Sequence, residues 1–196
     1  DLVSEFMHNP AQVSDTLGQW VEIIGVDNDV NIDNLEMRDA AADNVKFGTA
    51  VQLQPGTELV IAADGLPARN GGLRPQFVWP AGQFTLSSSD TVWLEYGSTE
   101  IDRVDYTSSW GGNGISSERK DCMAAGSLSN FSNATTSYGN GDKGTPGDDN
   151  VADTTDWGGG GTDLSVQLLT PPVRGQGFGM NWLMPNEYGA RYQGFI

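Results

Sequence analysis

Thr91-Val92-Trp93-Leu94-Glu95-Tyr96-Gly97-Ser98-Thr99-Glu100-Ile101-Asp102-Arg103-Val104-Asp105-Tyr106 is the stretch whose reading decides the fold. Side chains of a strand point alternately to its two faces. Thr91, Trp93 and Glu95 therefore share one face, with Val92 and Leu94 on the other. Further along, Ile101, Arg103 and Asp105 oppose Asp102, Val104 and Tyr106. Tyr96-Gly97-Ser98 separates the two runs, and its glycine supplies the positive φ that a tight turn needs. Strands of this kind bury one face against a second sheet, as in a sandwich.

The same grammar recurs on both sides. Candidate strands fall at residues 2–7, 20–24, 34–38, 45–47, 58–62, 77–79, 91–95 and 101–106. They are separated by His8-Asn9-Pro10, Asp27-Asn28-Asp29, Gln54-Pro55-Gly56, Asp64-Gly65-Leu66-Pro67 and Asn70-Gly71-Gly72. Many short strands punctuated by such turns indicate an all-β sandwich or barrel. No long stretch carries the 3.6-residue apolar period, so helix should be scarce. Residues 110–150 are rich in Gly, Ser and Asn, which predicts an irregular closing region anchored by Trp110, Met123, Leu128, Phe131 and Tyr138.

A chain of 196 residues holds one full domain and an appendage. Its 26 acids against 10 bases give a formal charge of −16. An anionic surface repels nucleic acid and anionic lipid, so neither is an expected partner. No apolar run reaches the length of a membrane span, and membrane insertion is not expected. The single cysteine, Cys122, excludes an internal disulfide framework and a cysteine-based zinc site among these residues. No charged-then-apolar leader opens the sequence, and Asp1 runs straight into Leu2-Val3-Ser4-Glu5-Phe6, the pattern expected near a processed terminus.

The composition divides the chain into residues 1–150, a β-sandwich, residues 151–162, an acidic and glycine-rich linker containing Gly158-Gly159-Gly160-Gly161, and residues 163–196. In the last part, 164–169, 178–184 and 188–196 read as strands. Three strands cannot build an independent two-layer core. This segment is read as a β-strand tail or a partial second module. Trp182, Met184, Tyr188, Tyr192 and Phe195 are its candidate binding or assembly residues, since an aromatic strand segment on a linker can pair with the sheet edge of a neighbour.

Several segments over about residues 2–150 gain meaning when taken in order. They begin with Leu2-Val3-Ser4-Glu5-Phe6-Met7-His8-Asn9-Pro10 and Gly18-Gln19-Trp20-Val21-Glu22-Ile23, followed by Gln54-Pro55-Gly56 before an apolar strand. Leu86-Ser87-Ser88-Ser89-Asp90-Thr91-Val92 and Ile101-Asp102-Arg103-Val104-Asp105-Tyr106 continue the series. Tyr138-Gly139, Gly144-Thr145-Pro146-Gly147 and Asn150 close it, and together these segments resemble the lamin tail domain family in its bacterial secreted and surface branch. The family's usual Asn after the second strand is missing at Ile24-Gly25, and its Leu-Ser-Gly-Trp turn reads Ile32-Asp33-Asn34-Leu35 here. The resemblance implies an immunoglobulin-like sandwich acting as an accessory module of secreted and surface proteins. It also implies structural roles for Glu5 and Glu22, as acceptors of backbone amides.

Catalytic chemistry finds little support in the residues. The one histidine, His8, lies in a turn, and no Gly-x-Ser-x-Gly elbow is present. Glu5 and Glu22 are the only paired carboxylates placed for glycosidase-type work, which would require an open cleft. No nucleotide or organic cofactor is implied. Calcium is the one metal for which the sequence offers ligands: Asp27, Asp29, Asn31 and Asp33 alternate over one loop, without the Gly and Glu of an EF-hand. Asp148, Asp149, Asp153 and Asp156 form a second acidic run. The leading expectation is a non-catalytic, secreted or cell-surface structural or adhesion module, self-associating or binding a surface protein through its C-terminal tail. The alternative is a carbohydrate-binding or calcium-dependent accessory module of a secreted hydrolase, with Trp79, Trp93 or Trp110 as a sugar platform.

Overall fold

Alternation of apolar and polar residues, short turns and a few bulges place two sheets face to face. The computed structural model describes residues 1–26, 30–41, 43–48, 52–155, 180–181 and 193–194. The chain divides into two units, Asp1–Asp156 and Trp157–Ile196.

The first unit is an all-β sandwich. Its strands in chain order are β1 (Leu2–Met7), β2 (Trp20–Ile24), β3 (Val30–Asn31), β4 (Leu35–Asp39), β5 (Asn44–Lys46), β6 (Gln52–Leu53) and β7 (Glu58–Ala62). They continue with β8 (Phe77–Val78), β9 (Asp90–Tyr96), β10 (Thr99–Tyr106), β11 (Ser117–Arg119), β12 (Phe131–Asn133), β13 (Ser137–Tyr138) and β14 (Asp142–Lys143). One sheet has six strands in the order β12-β11-β1-β2-β7-β8, and the facing sheet has four in the order β10-β9-β4-β5. Only β7 and β8 pair in parallel within these two sheets.

The β9–β10 hairpin follows its sequence pattern. Tyr96 pairs with Thr99 across Gly97-Ser98. The two turn residues have φ of +55° and +76°, the positive values of a two-residue turn matched to strand twist. Val92, Leu94, Val104 and Tyr106 point inward and are buried, while Thr91, Trp93, Arg103 and Asp105 line the outer face. Val3, Phe6, Ile23 and Ile61 meet them from the six-stranded sheet.

The closing region differs from its expectation. Residues 110–150 are not simply irregular: β11 and β12 extend the six-stranded sheet from β1 outward, and β13 and β14 form a ribbon. Trp110 and Phe131 anchor the core as expected, their rings tilted against each other with centroids 5.3 Å apart, but Met123 and Leu128 are each 61 % exposed. Both sit in short polar turns that carry them away from the sheet. The sandwich also reaches past residue 150. Thr154 N–H donates to the Lys120 carbonyl at 2.6 Å, and Thr155 Oγ1 accepts from Cys122 N–H at 2.8 Å. The first residues of the expected linker, 151–155, thus belong to the first unit.

In the second unit, β15 (Met180–Asn181) pairs antiparallel with β16 (Gln193–Gly194). Trp182, Met184, Tyr188, Tyr192 and Phe195 lie outside the described residues.

Candidate functional site

A row of carboxylates crosses the outer face of the six-stranded sheet. Glu5 on β1 pairs in register with Glu118 on β11 and with Glu22 on β2. Directly opposed residues of antiparallel strands point to the same face, so the three side chains lie side by side. Glu58 on β7 joins them on the same face two pairs along, opposite Ile24. Glu5, Glu22 and Glu118 are all buried.

What buries them is the segment Gly144-Thr145-Pro146-Gly147 with Asn150, which closes over the row as a roof. Thr145 N–H lies 3.1 Å from both Glu5 oxygens, and Thr145 Oγ1 lies 3.0 Å from Glu5 Oε2. The Ser116 hydroxyl bonds to Glu5 Oε1. Gly147 N–H donates to Glu22 Oε2 at 2.7 Å, and the Ser4 hydroxyl to Glu22 Oε1 at 2.7 Å. Gly147 has φ +86°, so glycine lets the chain turn its amide onto the carboxylate. Gly144 is required for a different reason: a Cβ there would lie 2.9 Å from Glu5 Oε1 and 3.0 Å from both Ser116 Oγ and Trp20 Cζ2. Beside the carboxylates, Trp20 Nε1–H donates to Tyr138 Oη at 2.9 Å, above an apolar strip of Met7, Val60, Ala62 and Leu73.

The bulge in β1 explains why the roof ends on Asn150. The register with β2 slips between Val3 and Glu5, which leaves backbone groups without a ladder partner. Side chains serve them instead. Asn150 Nδ2 donates to the carbonyls of Ser4 at 3.0 Å and Arg119 at 3.1 Å. On the inner side, Asp102 Oδ2 accepts Val3 N–H at 2.9 Å and Arg119 Nη2 at 2.6 Å, while Arg119 Nε donates to the Val3 carbonyl at 2.8 Å. Arg119 is completely buried yet fully engaged, its guanidinium also 5.2 Å from the Phe131 ring. A buried charge needs such pairing.

No such cation faces the outer row. Among the described residues, no Lys, Arg or His forms an ion pair with Glu5, Glu22, Glu58 or Glu118. Burial raises Glu5 above its ordinary carboxylate value to about 8, with the Glu118 charge adding to it and the hydrogen bonds of Ser116 and Thr145 opposing it. Burial also raises Glu22, and Glu5 raises it further. Glu58 is pushed up to about 7 by burial, with Asp149 and Asp148 contributing. Glu118 is raised by burial as well, and its Oε1 has no hydrogen-bond partner.

The hydrolase reading required Glu5 and Glu22 to line an open cleft; both are instead closed beneath the roof and bonded to backbone amides. His8 is buried, 5.3 Å from the Tyr106 ring, and burial lowers its pKa. Of the three tryptophans considered as a sugar platform, Trp79 and Trp110 belong to the core. Trp93 is half-buried with the Arg103 guanidinium 4.8 Å above its ring. The thiol of Cys122 is pushed up to about 11 by burial, so it is not a thiolate at neutral pH.

Of the calcium candidates, Asp27 and Asp29 lie outside the described residues, Asn31 is described only as backbone in β3, and Asp33 is exposed. In the second acidic run, Asp153 Oδ1 accepts Thr155 N–H at 2.7 Å, a local turn contact. No group of three or more His, Cys, Asp or Glu side chains is arranged to hold a metal ion among the described residues. The three-carboxylate row itself escapes sequence reading, because only the pairing of β11 with β1 brings Glu118 beside Glu5; the pairing of Glu5 with Glu22 was the one available signal.

Fold and site together define an all-β sandwich protein with a closed polar layer on the outer face of its larger sheet. No protein-family model matches the chain, and neither a curated protein nor a solved structure matches it significantly.

Proposed function

We propose that the chain is a lamin-tail-like, non-catalytic structural or adhesion module, secreted or held at a cell surface, that mediates protein–protein assembly as a subunit of a surface filament or lattice. The observation that carries this reading is where the motif residues go. Glu5, Trp20, Glu22, Tyr138, Gly144, Thr145, Gly147 and Asn150 come from distant parts of the sequence and meet in one closed cluster. Their polar atoms are spent on one another and on backbone groups, which supports an architectural role for the resemblance. The anionic surface favours protein over nucleic acid as a partner.

Light scattering tests the assembly. The full chain should gain mass with concentration, whereas a chain ending at Thr155 should stay monomeric. If both remain monomeric to the same high concentration, assembly through the tail is wrong.

A further inference from the structure

The roof over the carboxylate row contains a hydrogen-bond chain whose protons can be counted. Both hydrogen-bond partners of Asn150 Nδ2 are carbonyl oxygens, at Ser4 and Arg119. Carbonyls only accept, so the amide nitrogen must face them and Oδ1 must face Thr145. Asn150 Oδ1 lies 3.2 Å from Thr145 Oγ1. As an acceptor it requires the Thr145 hydroxyl proton. A threonine hydroxyl has only one proton. With that proton given to Asn150, the 3.0 Å contact between Thr145 Oγ1 and Glu5 Oε2 needs a proton from the Glu5 side.

We propose that Glu5 carries a structural proton on Oε2, donated along the chain Glu5 Oε2–H to Thr145 Oγ1–H to Asn150 Oδ1, and that this proton latches the roof segment 144–150 onto the sheet. Ionisation of Glu5 reverses the Thr145 hydroxyl, strips Asn150 Oδ1 of its donor and places an uncompensated charge in the row. The roof then loosens over Trp20 and the strip beneath it.

Burial and the charged groups around Glu5 favour the protonated form, against the hydrogen bonds from Ser116 and the Thr145 amide. Glu118 faces it from β11 and Glu22 from β2; Glu58 lies beyond Glu22 on β7, with Asp148 and Asp149 near it from the roof. Tyr138 from β13 and Asp142 from β14 complete the ring of groups, and both are neutral or acidic. Arg119 points to the other face, where it is bound to Asp102. Lys143 beside the roof is exposed, and Lys120 on β11's continuation forms no ion pair with the row. Glu118 Oε1, buried without a partner, marks a site already short of donors. Among the described residues, a second charge has no cation there to pair with.

The linkage sign follows from the raised pKa. In the open roof Glu5 returns toward the ordinary value of 4.5, against about 8 when closed. Opening therefore releases one proton between these limits, and the open fraction rises about tenfold per pH unit across that window. Closure is strongest below the lower limit, is lost progressively as pH rises toward the upper one, and levels off above it.

The test uses the full chain and two readouts. At pH 6.5 the infrared difference spectrum between the wild type and Glu5→Gln should contain the carbonyl band of one protonated carboxyl group, beyond any that Glu22 and Glu58 give in both proteins. Between pH 5 and 8, protection of the Thr145 and Gly147 amides, corrected for intrinsic exchange, should fall at least tenfold per unit in the wild type. The fall should be shallower by about tenfold per unit in Glu5→Gln, whose amide nitrogen can donate to Thr145 at any pH while Glu22 and Glu58 still titrate. Absence of that band from the difference spectrum would overturn the proposal. So would equal pH dependence in both proteins. If Glu5→Gln fails to fold, the carboxyl carbon-13 shift of Glu5 in the wild type decides the question: a protonated value at pH 6.5 that moves on titration through pH 8 supports the proposal, and an ionised value at pH 6.5 overturns it.

Discussion

The space between the two sheets and the layer beneath the roof are both buried, but they are built on opposite terms. Between the sheets, Val3, Phe6, Ile23, Met37, Leu94 and Val104 pack with no polar atom to satisfy. Such an interior depends on volume and pattern, and it tolerates exchange of one apolar residue for another of similar size. Beneath the roof, three carboxylates, three hydroxyls, one side-chain amide and two backbone amides occupy one layer. There each group depends on the identity and direction of its neighbour, because an unmet buried polar atom costs about 1–3 kcal/mol. The first region supplies driving force; the second fixes register by gripping the β1 bulge and the β1–β11 seam.

Breaking the ion pair where the two regions meet should have the largest effect. Asp102→Ala leaves the guanidinium of Arg119, completely buried, without its carboxylate. Loss of one partner of a buried pair costs about 3–5 kcal/mol, to be read as a lowered denaturation midpoint. Leu94→Ala in the apolar interior should cost about 2–5 kcal/mol through lost burial and the cavity left behind. Gly144→Ala adds one carbon against Glu5, Ser116 and Trp20 together, and should cost about 1–3 kcal/mol. Leu94→Met should be the mildest change, under about 1.5 kcal/mol. If Gly144→Ala proved as harmless as Leu94→Met, the contrast between an adaptable interior and an exacting polar layer would fail. Chemical denaturation measures all four.

Much of the interior can be read from the sequence. The bounds of β1, β2 and β7 agree with their apolar runs, and the two faces of β9 and β10 follow the alternation of Val92, Leu94, Val104 and Tyr106. β11 could not be read in this way. Ser117-Glu118-Arg119 has no apolar residue, yet all three are buried: Glu118 lies under the roof, and Arg119 is stabilised by Asp102 and two carbonyls. Periodicity identifies surfaces hidden from water by hydrophobicity, so it misses a strand hidden by pairing. Met123 and Leu128 fail in the opposite sense, as apolar residues that local turns leave in solvent. For the site, Glu5 and Glu22 could be placed on neighbouring strands. Their closure depends on contacts with Thr145 and Gly147, far along the chain, which no local pattern encodes.

Hydrogen exchange at pH 5, where the roof is close to its firmest closure, tests most directly whether the polar layer is part of the cooperative structure. The Thr145 and Gly147 amides should exchange only as slowly as those of Val21 and Ile23 in β2, through global unfolding. Exchange at the rate of an open surface loop, while β2 stays protected, would show that the layer under the roof is not a second core and would contradict the account.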